Sequence, residues 1–398
     1  MKCIFLSNVL NGEFVKNNKI DTISPADNIA QIILIEGLYK IYGVDLKVIT
    51  PSYNDFNNFK HKKENINIVS NFDALGFENN SKNKIIYYLS IIKGYYRELK
   101  KLLIEYHDEE IIVITNGPHI FRTLPILLLR KKFKFKFIHF LIASVGLPEY
   151  KGIFQLIAKF SPYALQYVDG TITYVTRSST DYTNKPYVRI LYALPKSDLN
   201  LSEKHIKNKK INDKKTIFFG GALNDINSFD TIIQLIEKID DEYKFIICGD
   251  GPYKNKLIEL QKKYPNKVEY LGLISHEEVI KQEHLANFLI VLRNTRTNVG
   301  KYHSSYSMSS KLFEYLLSGT PVIVNKHDAV QEEIRPFFHF IKDESPEEVL
   351  NFLNNYHKNE KKILKQSKKG REYVISNATA EVQNQKIINF IEKIMKDK

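Results

Sequence analysis

The strongest constraint on this chain is a rhythm. Short apolar runs rich in β-branched and aromatic residues alternate with longer stretches of helical period. In the first half the runs are KCIFLS (2–7), LKVIT (46–50), IIVIT (111–115), FKFIHFLI (135–142) and TITYV (171–175), with helices expected over 26–42, 84–105, 120–132 and 150–167. Such alternation argues for βαβ units and parallel sheets, hence an α/β fold. A polar, lysine-heavy stretch at 196–215 interrupts it and reads as an interdomain linker. The alternation then restarts with TIFFGG, KFIICGDGP, VEYLGL, NFLIVLR, PVIV and FHFI, and with helices near 228–239, 254–263, 276–285, 309–318 and 346–356. At 398 residues the chain has room for two domains. The expected division is 1–198, 199–375 and a terminal helix over 376–398, whose Val382, Ile387, Ile388, Ile391 and Ile394 form one apolar face.

Composition trims the alternatives. At 43% hydrophobic and 26% charged, the chain is a globular protein rather than a disordered or collagen-like one. Its two cysteines, Cys3 and Cys248, sit in apolar runs, which fits a reducing cytosol. No run approaches the roughly 18 apolar residues of a membrane span, and MKCIFLSNVL is too short for a signal peptide, so a cytoplasmic protein is expected. The net charge of +13 calls for anionic partners. No zinc-ligand cluster or RNA-recognition motif supports nucleic acid. The stretch LLLRKKFKFKFI (127–138), with the similar segment 84–101, reads instead as a basic and aromatic edge facing an anionic membrane, against the plainer reading of a half-buried strand.

The chemistry gathers at strand ends of the second half: Gly220 and Gly221, then Gly249, Gly251 and Pro252, then Gly272. Glycine there permits sharp turns and close approach of a phosphate to main-chain N–H groups. Neither a P-loop lysine nor a G-x-G-x-x-G opening is present, which weighs against ATP hydrolysis and NAD. The most specific segment is SMSSKLFEYLLSGTPVIV (307–324). It reads as serine caps at Ser309 and Ser310, a short helix stopped by Gly319, and a strand. The first-turn N–H groups of Ser310, Lys311 and Leu312 would form an anion site, and Glu314, one turn further, would take a ribose diol.

On Ser310, Lys311, Glu314, Tyr315, Gly319, Pro321, Val322 and Ile323, together with the CGDGP and FFGG turns, the second half resembles the nucleotide-sugar domain of GT-B-fold glycosyltransferases, of the family 4 (group 1) type. The resemblance implies two Rossmann-like domains facing across a cleft, an acceptor-binding first half, and a last helix crossing back to it. It also implies a retaining transfer from a UDP- or GDP-sugar, as co-substrate, to a glycan or lipid-linked acceptor in surface polysaccharide synthesis. No other cofactor and no metal are implied, and no Asp-x-Asp occurs in the chain. It makes His139 the catalytic-side histidine reaching the donor sugar, with Asn116 and His119 on the acceptor side.

Three positions depart from the family. The arginine and lysine that clamp the diphosphate are replaced by Ala222 and Asn227, and a sugar-contacting glutamate by Tyr306. Replacement charge is sought in Arg293, Arg296, Lys301 or His303, Arg293 first. The departures also motivate a rival reading, a non-catalytic glycosyltransferase-like subunit.

Overall fold

The computed structural model describes residues 1–9, 25–51, 66–69, 72–77, 84–117, 119–142, 165–174, 184–206 and 214–397. The expected helix at 150–167 falls outside them except for a 3-10 turn at Leu165–Tyr167. The chain divides into two compact units. The first is Met1–Ala193 with Ala380–Lys398, and the second is Leu194–Thr379.

In the first unit the strands are β1 (Lys2–Leu6), β2 (Leu46–Pro51), β3 (Ile66–Val69), β4 (Phe72–Phe77), β5 (Ile111–Asn116), β6 (Lys136–Leu141), β7 (Gly170–Thr173) and β8 (Tyr187–Arg189). They form one sheet in the order β3-β4-β2-β1-β5-β6-β7-β8, parallel except for the β3–β4 pair. Helices α1 (Pro25–Tyr42), α2 (Lys84–Glu105) and α3 (Ile120–Arg130) are the crossovers. β5 is buried along its whole length, as a parallel strand covered on both faces must be. That is why it reads as a continuous apolar run. β4, with Asp73 and Gly76, and three-residue β8 lack such a run and escape sequence reading.

The second unit holds β9 (Lys215–Gly220), β10 (Tyr243–Cys248), β11 (Val268–Gly272), β12 (Phe288–Val291), β13 (Val322–Asn325) and β14 (His339–Ile341) in one parallel sheet, ordered β11-β10-β9-β12-β13-β14. In chain order this is 3-2-1-4-5-6, the doubly wound arrangement of dinucleotide-binding sheets. Its helices are α4 (Lys196–Ile206), α5 (Phe229–Lys238), α6 (Lys254–Lys263), α7 (His276–Leu285), α8 (Asn298–Tyr306), α9 (Lys311–Ser318) and α10 (Pro346–Asn377). Ile217 and Phe219 of β9, Phe245 and Ile247 of β10, and Phe288 and Ile290 of β12 form the core with Ile232 and Ile236 of α5. The chain enters and leaves this unit side by side, Leu194 N–H bonding Ala378 C=O at 2.8 Å.

Three expectations change. The presumed linker begins as α4. Its buried positions are polar, and each is satisfied: Ser202 Oγ lies 2.9 Å from His284 Nε2, and Asp198 Oδ1 lies 3.1 Å from His276 Nε2. A helix docked through polar groups carries no hydrophobic period, which is what made the segment look like a linker. Residues 298–306, part of the stretch NTRTNVGKYHS (294–304) for which the sequence suggests a loop, form α8, capped by Thr297 Oγ1 accepting from Gly300 N–H at 3.0 Å. Finally, only part of 127–138 lies at the surface: β6 lies between β5 and β7, and Phe135 and Phe137 point into the core. The cations left at the surface there are Lys131, Lys132 and Lys134.

Residues Ala380–Lys396 form α11, which packs within the first unit on α1 and β8. Ile387, Ile391 and Ile394 are buried, Gln383 Oε1 accepts from Leu191 N–H at 2.8 Å, and Phe390 rides directly over Gly170. A Cβ at Gly170 would lie 2.7 Å from the Phe390 ring, so glycine is what allows the helix to come this near. Ile391→Ala should cost about 2–4 kcal/mol of stability through the cavity it leaves. A urea melt of the full chain checks this, and an unchanged midpoint would mean that α11 contributes nothing to the first unit.

Candidate functional site: two cations at the switch point of the second sheet

In a doubly wound sheet, adjacent strands whose crossovers go to opposite sides leave a crevice at their carboxyl ends. Here that point lies between β9 and β12. The turn after β9 is Gly220-Gly221-Ala222, and the residues after β12 run Leu292-Arg293-Asn294.

The strand-end turns are stitched to one another. Gly221 N–H donates to Cys248 C=O at 3.0 Å, Leu223 N–H to Asp250 C=O at 2.9 Å, and Gly249 N–H to Gly272 C=O at 2.8 Å. Tyr270 OH donates to Gly249 C=O at 2.8 Å. Gly249, at φ +132°, would drive any side chain into the Gly221 carbonyl. The glycines at 249 and 251 thus serve the packing of turn on turn; Pro252 follows them in the same turn. Gly221 has another neighbour. A side chain there would collide with the ammonium of Lys311.

Lys311 opens α9. Its Nζ sits 4.6 Å from the centre of the Phe219 ring, a cation–π contact that partly replaces lost water. Burial, and next the Arg293 charge, push its pKa down to about 8, against the opposing pull of Glu314. Arg293 is 9% exposed, and burial pushes its pKa down to about 10. Its Nη1 donates to Asn227 Oδ1 at 3.3 Å, while Nε is buried without a partner among the described residues. Asn227 Nδ2 in turn donates to Ala222 C=O at 2.8 Å. The two positions where a cation was missing are therefore tied together, and the asparagine accepts from an arginine on the next strand. A lysine at 227 would repel it.

Glu314 is half-buried on α9 and accepts no hydrogen bond among the described residues. Burial raises its pKa, Asp198 adds to this, and His276 and Lys311 oppose it. His276 is held above its usual range by its hydrogen bond to Asp198. Behind Glu314 lies Glu283, 1% exposed, whose carboxyl burial pushes well above the ordinary range. The helix start differs from expectation. Ser310 occupies the cap position in helical geometry without a side-chain cap bond, and the N–H groups of Leu312 and Phe313 are taken by the Ser309 and Ser310 carbonyls at 3.2 and 3.0 Å. Leu312 itself is fully buried. Tyr315 OH accepts from Gly220 N–H at 3.0 Å, locking α9 onto the turn after β9.

The other candidate cations go elsewhere. Arg296 pairs with Asp230 at 2.7 Å and Glu344 at 3.3 Å, Lys301 is exposed, and His303 is half-buried on α8. Tyr306 closes α8 with its ring 5.3 Å from that of Tyr302. Gly272 lies in open space, and Leu273 beside it, just past the end of β11, is a 77% exposed apolar side chain that motif reading passed over. No group of three His, Cys, Asp or Glu among the described residues is arranged to hold a metal ion.

Residues 202–373 match the family described as glycosyl transferases, group 1. The match lies within the second unit and covers less than half of the chain. The chain is a glycosyltransferase, and its fold is the GT-B fold of solved relatives. Sucrose-phosphate synthase from Thermosynechococcus elongatus superimposes with a TM-score of 0.71 at 15% identity, covering 99% of each chain. A UDP complex of Anabaena HepE gives 0.63 at 12%, over 99% of this chain and 100% of that one. The UDP-forming trehalose-phosphate synthase of Burkholderia vietnamiensis gives 0.70 at 9%, over 98% and 99%. Among curated protein sequences nothing matches.

The glycosyltransferase's first unit has a switch point of its own, between β1 and β5. Asn116 ends β5 there and donates to Asn8 Oδ1 at 3.0 Å and Asp27 Oδ1 at 3.4 Å. His119 is exposed at the start of α3. His139 is fully buried in β6, its ring 4.8 Å from that of Phe137, and neither ring nitrogen makes a full hydrogen bond among the described residues. Burial, reinforced by Arg122, pushes its pKa down to about 3, so it is neutral at physiological pH.

The pKa of Lys311 has a kinetic consequence. Its charge is present below about pH 8 and lost above, so kcat/KM for the donor should fall as pH rises through about 8. Lys311→Arg should move that limb upward. A profile flat from pH 6 to about 10 would remove Lys311 from the site.

Proposed function

We propose that this glycosyltransferase moves a sugar from a UDP- or GDP-sugar to a glycan or lipid-linked glycan acceptor, with retention and without a metal ion, in surface polysaccharide assembly on the cytoplasmic face of the membrane. The observation that carries the donor part is the Arg293–Lys311 pair at the switch point of the second sheet. A departing nucleoside diphosphate gains charge as its bond to the sugar breaks, and two fixed, poorly hydrated cations would stabilise that charge without reorganising. Glu314, close enough to Lys311 to oppose its loss of charge, would take the ribose hydroxyls as a charged acceptor. Leu273, at the strand-end edge, offers an apolar contact to the base. The UDP complex of HepE makes a uridine donor the first to test.

In the chemistry we infer, the acceptor oxygen bonds to the anomeric carbon on the face the diphosphate leaves. The anomeric C–O bond breaks toward phosphate, and the acceptor proton passes to the departing phosphate oxygen. This needs no protein nucleophile. A neutral, buried His139 would act on the sugar only by positioning, and Asn116 and His119 mark the acceptor side.

Removing one charged hydrogen-bond donor typically costs about 1.5–3 kcal/mol, so Arg293→Ala should weaken UDP binding by about 10- to 100-fold, measured by calorimetry on folded protein. Undiminished binding would overturn the role of the pair. Binding of UDP and GDP by neither parent nor variant would favour the non-catalytic reading.

The membrane part rests on the exposed portions of the two segments first read as that surface, 84–101 and 127–138. α2 and α3 lie side by side, Tyr88 of α2 stacking on Phe121 of α3 at 4.2 Å. Leu89 and Leu128 are exposed at 59% and 43%, and Lys93, Lys100, Lys101, Lys131 and Lys132 are exposed around them. Apolar side chains among lysines fit an anionic bilayer surface. Among the described residues no helix is long and apolar enough to cross a membrane. Lys131→Glu with Lys132→Glu should release the protein from vesicles containing phosphatidylglycerol while UDP affinity stays unchanged. Equal co-sedimentation of parent and variant would refute this face.

A further inference from the structure

Arg293 raises a physical problem. Among the described residues, this guanidinium, 9% exposed, makes one hydrogen bond of 3.3 Å and leaves Nε unpartnered, so it is not held in place by its own contacts. Its backbone, in contrast, is pinned on both sides. Asn325, at the end of β13 and fully buried, accepts from Arg293 N–H at 2.8 Å through Oδ1 and donates to Arg293 C=O at 2.9 Å through Nδ2. The same Nδ2 donates to Glu344 Oε2 at 3.2 Å. Because the Arg293 carbonyl and the Glu344 carboxylate both only accept, the orientation of the amide is fixed.

Glu344, 2% exposed, spreads the clamp along the next residues. Its Oε1 accepts from Thr295 N–H at 2.7 Å and faces Arg296 Nε at 3.3 Å, while its Oε2 accepts from Thr295 Oγ1 at 2.7 Å. A buried carboxylate is tolerated only when its oxygens are satisfied in this way. A second layer follows, in which Asn294 Oδ1 accepts from Arg296 N–H at 2.9 Å and Thr297 N–H at 3.1 Å. The segment leaving β12 is therefore rigid from Arg293 to the start of α8, although it has neither strand nor helix bonding of its own.

We propose that Asn325 and Glu344 are positioning residues for donor binding: they hold the backbone of residues 293–296 so that the otherwise weakly tethered Arg293 is presented to the donor's phosphates. This rests on the reading of Arg293 given above. The arrangement also accounts for how a cation moved from the loop after β9 to the end of β12 is kept from withdrawing toward solvent. Strand β13 and the loop before α10 provide the brace.

The test is a double-mutant cycle on UDP affinity in the full chain, with Asn325→Ala and Thr295→Val each made in the parent and in Arg293→Ala. Thr295→Val removes one bond to Glu344 with little change of shape, so it carries the test should Asn325→Ala fail to fold. Each variant is expected to weaken UDP binding by about tenfold in the parent and by less than about twofold once Arg293 is gone, since residues acting through one group are not additive. A second readout is the alkaline limb of kcat/KM. Arg293 depresses the pKa of Lys311, so a displaced guanidinium should let that limb move upward from about pH 8. Equal losses in both backgrounds, with the limb unmoved, would show a merely structural role and overturn the proposal. If Arg293→Ala alone leaves UDP affinity intact, it is the role of Arg293 itself that fails.

Discussion

Two positive charges near each other, Arg293 buried and Lys311 half-buried, in a protein of net charge +13 need a reason to stay, and the second sheet supplies it. Burial lowers the pKa of both Arg293 and Lys311, and the Arg293 charge lowers that of Lys311 further. What keeps them together is tertiary: the Phe219 ring and the bare Gly221 turn around Lys311, the Asn227 acceptor and the Asn325 clamp for Arg293. A site that stores like charge is poised for an anion. Binding a diphosphate would relieve both the repulsion and the unpartnered donor.

Carboxylates balance the same region from behind. Glu314, Glu283 and Asp198 lie on three different helices, α9, α7 and α4, and burial raises the pKa of the first two. His276 answers Asp198 directly. The stretch that carries Asp198 looked like a linker because its docking is polar. It is instead the wall behind the residue expected to read the ribose. The first unit repeats the design on a smaller scale, with Asn8, Asp27 and Asn116 joined at its own switch point.

If Arg293 takes the donor's phosphates, as proposed, its charge would stand in for the missing family residues. Ala222 and Asn227 looked like losses from the diphosphate clamp. In space, Asn227 joins the Ala222 carbonyl to the Arg293 guanidinium, so one position has exchanged a donor for an acceptor that receives the donor from the neighbouring strand. Such an exchange leaves no trace in local spacing, because residues 227 and 293 meet only through the order of the strands.

The sequence by itself determined the α/β class, the strand-end glycines, the second domain and its Ser310–Ile323 signature. Those features are local: fully buried parallel strands read as continuous apolar runs, and the strand-end turns at Gly221, Gly249, Gly251 and Gly272 take positive φ, which favours glycine. Only the tertiary structure decided that α4 and α8 are helices, that Phe135 and Phe137 face inward, and which of four candidate cations enters the site. Arg293, Arg296, Lys301 and His303 lie within eleven residues, and nothing in their order separates them. The separation comes from partners distant in the chain: Asp230 draws Arg296 outward, while Asn227 and Asn325 hold Arg293 at the strand ends.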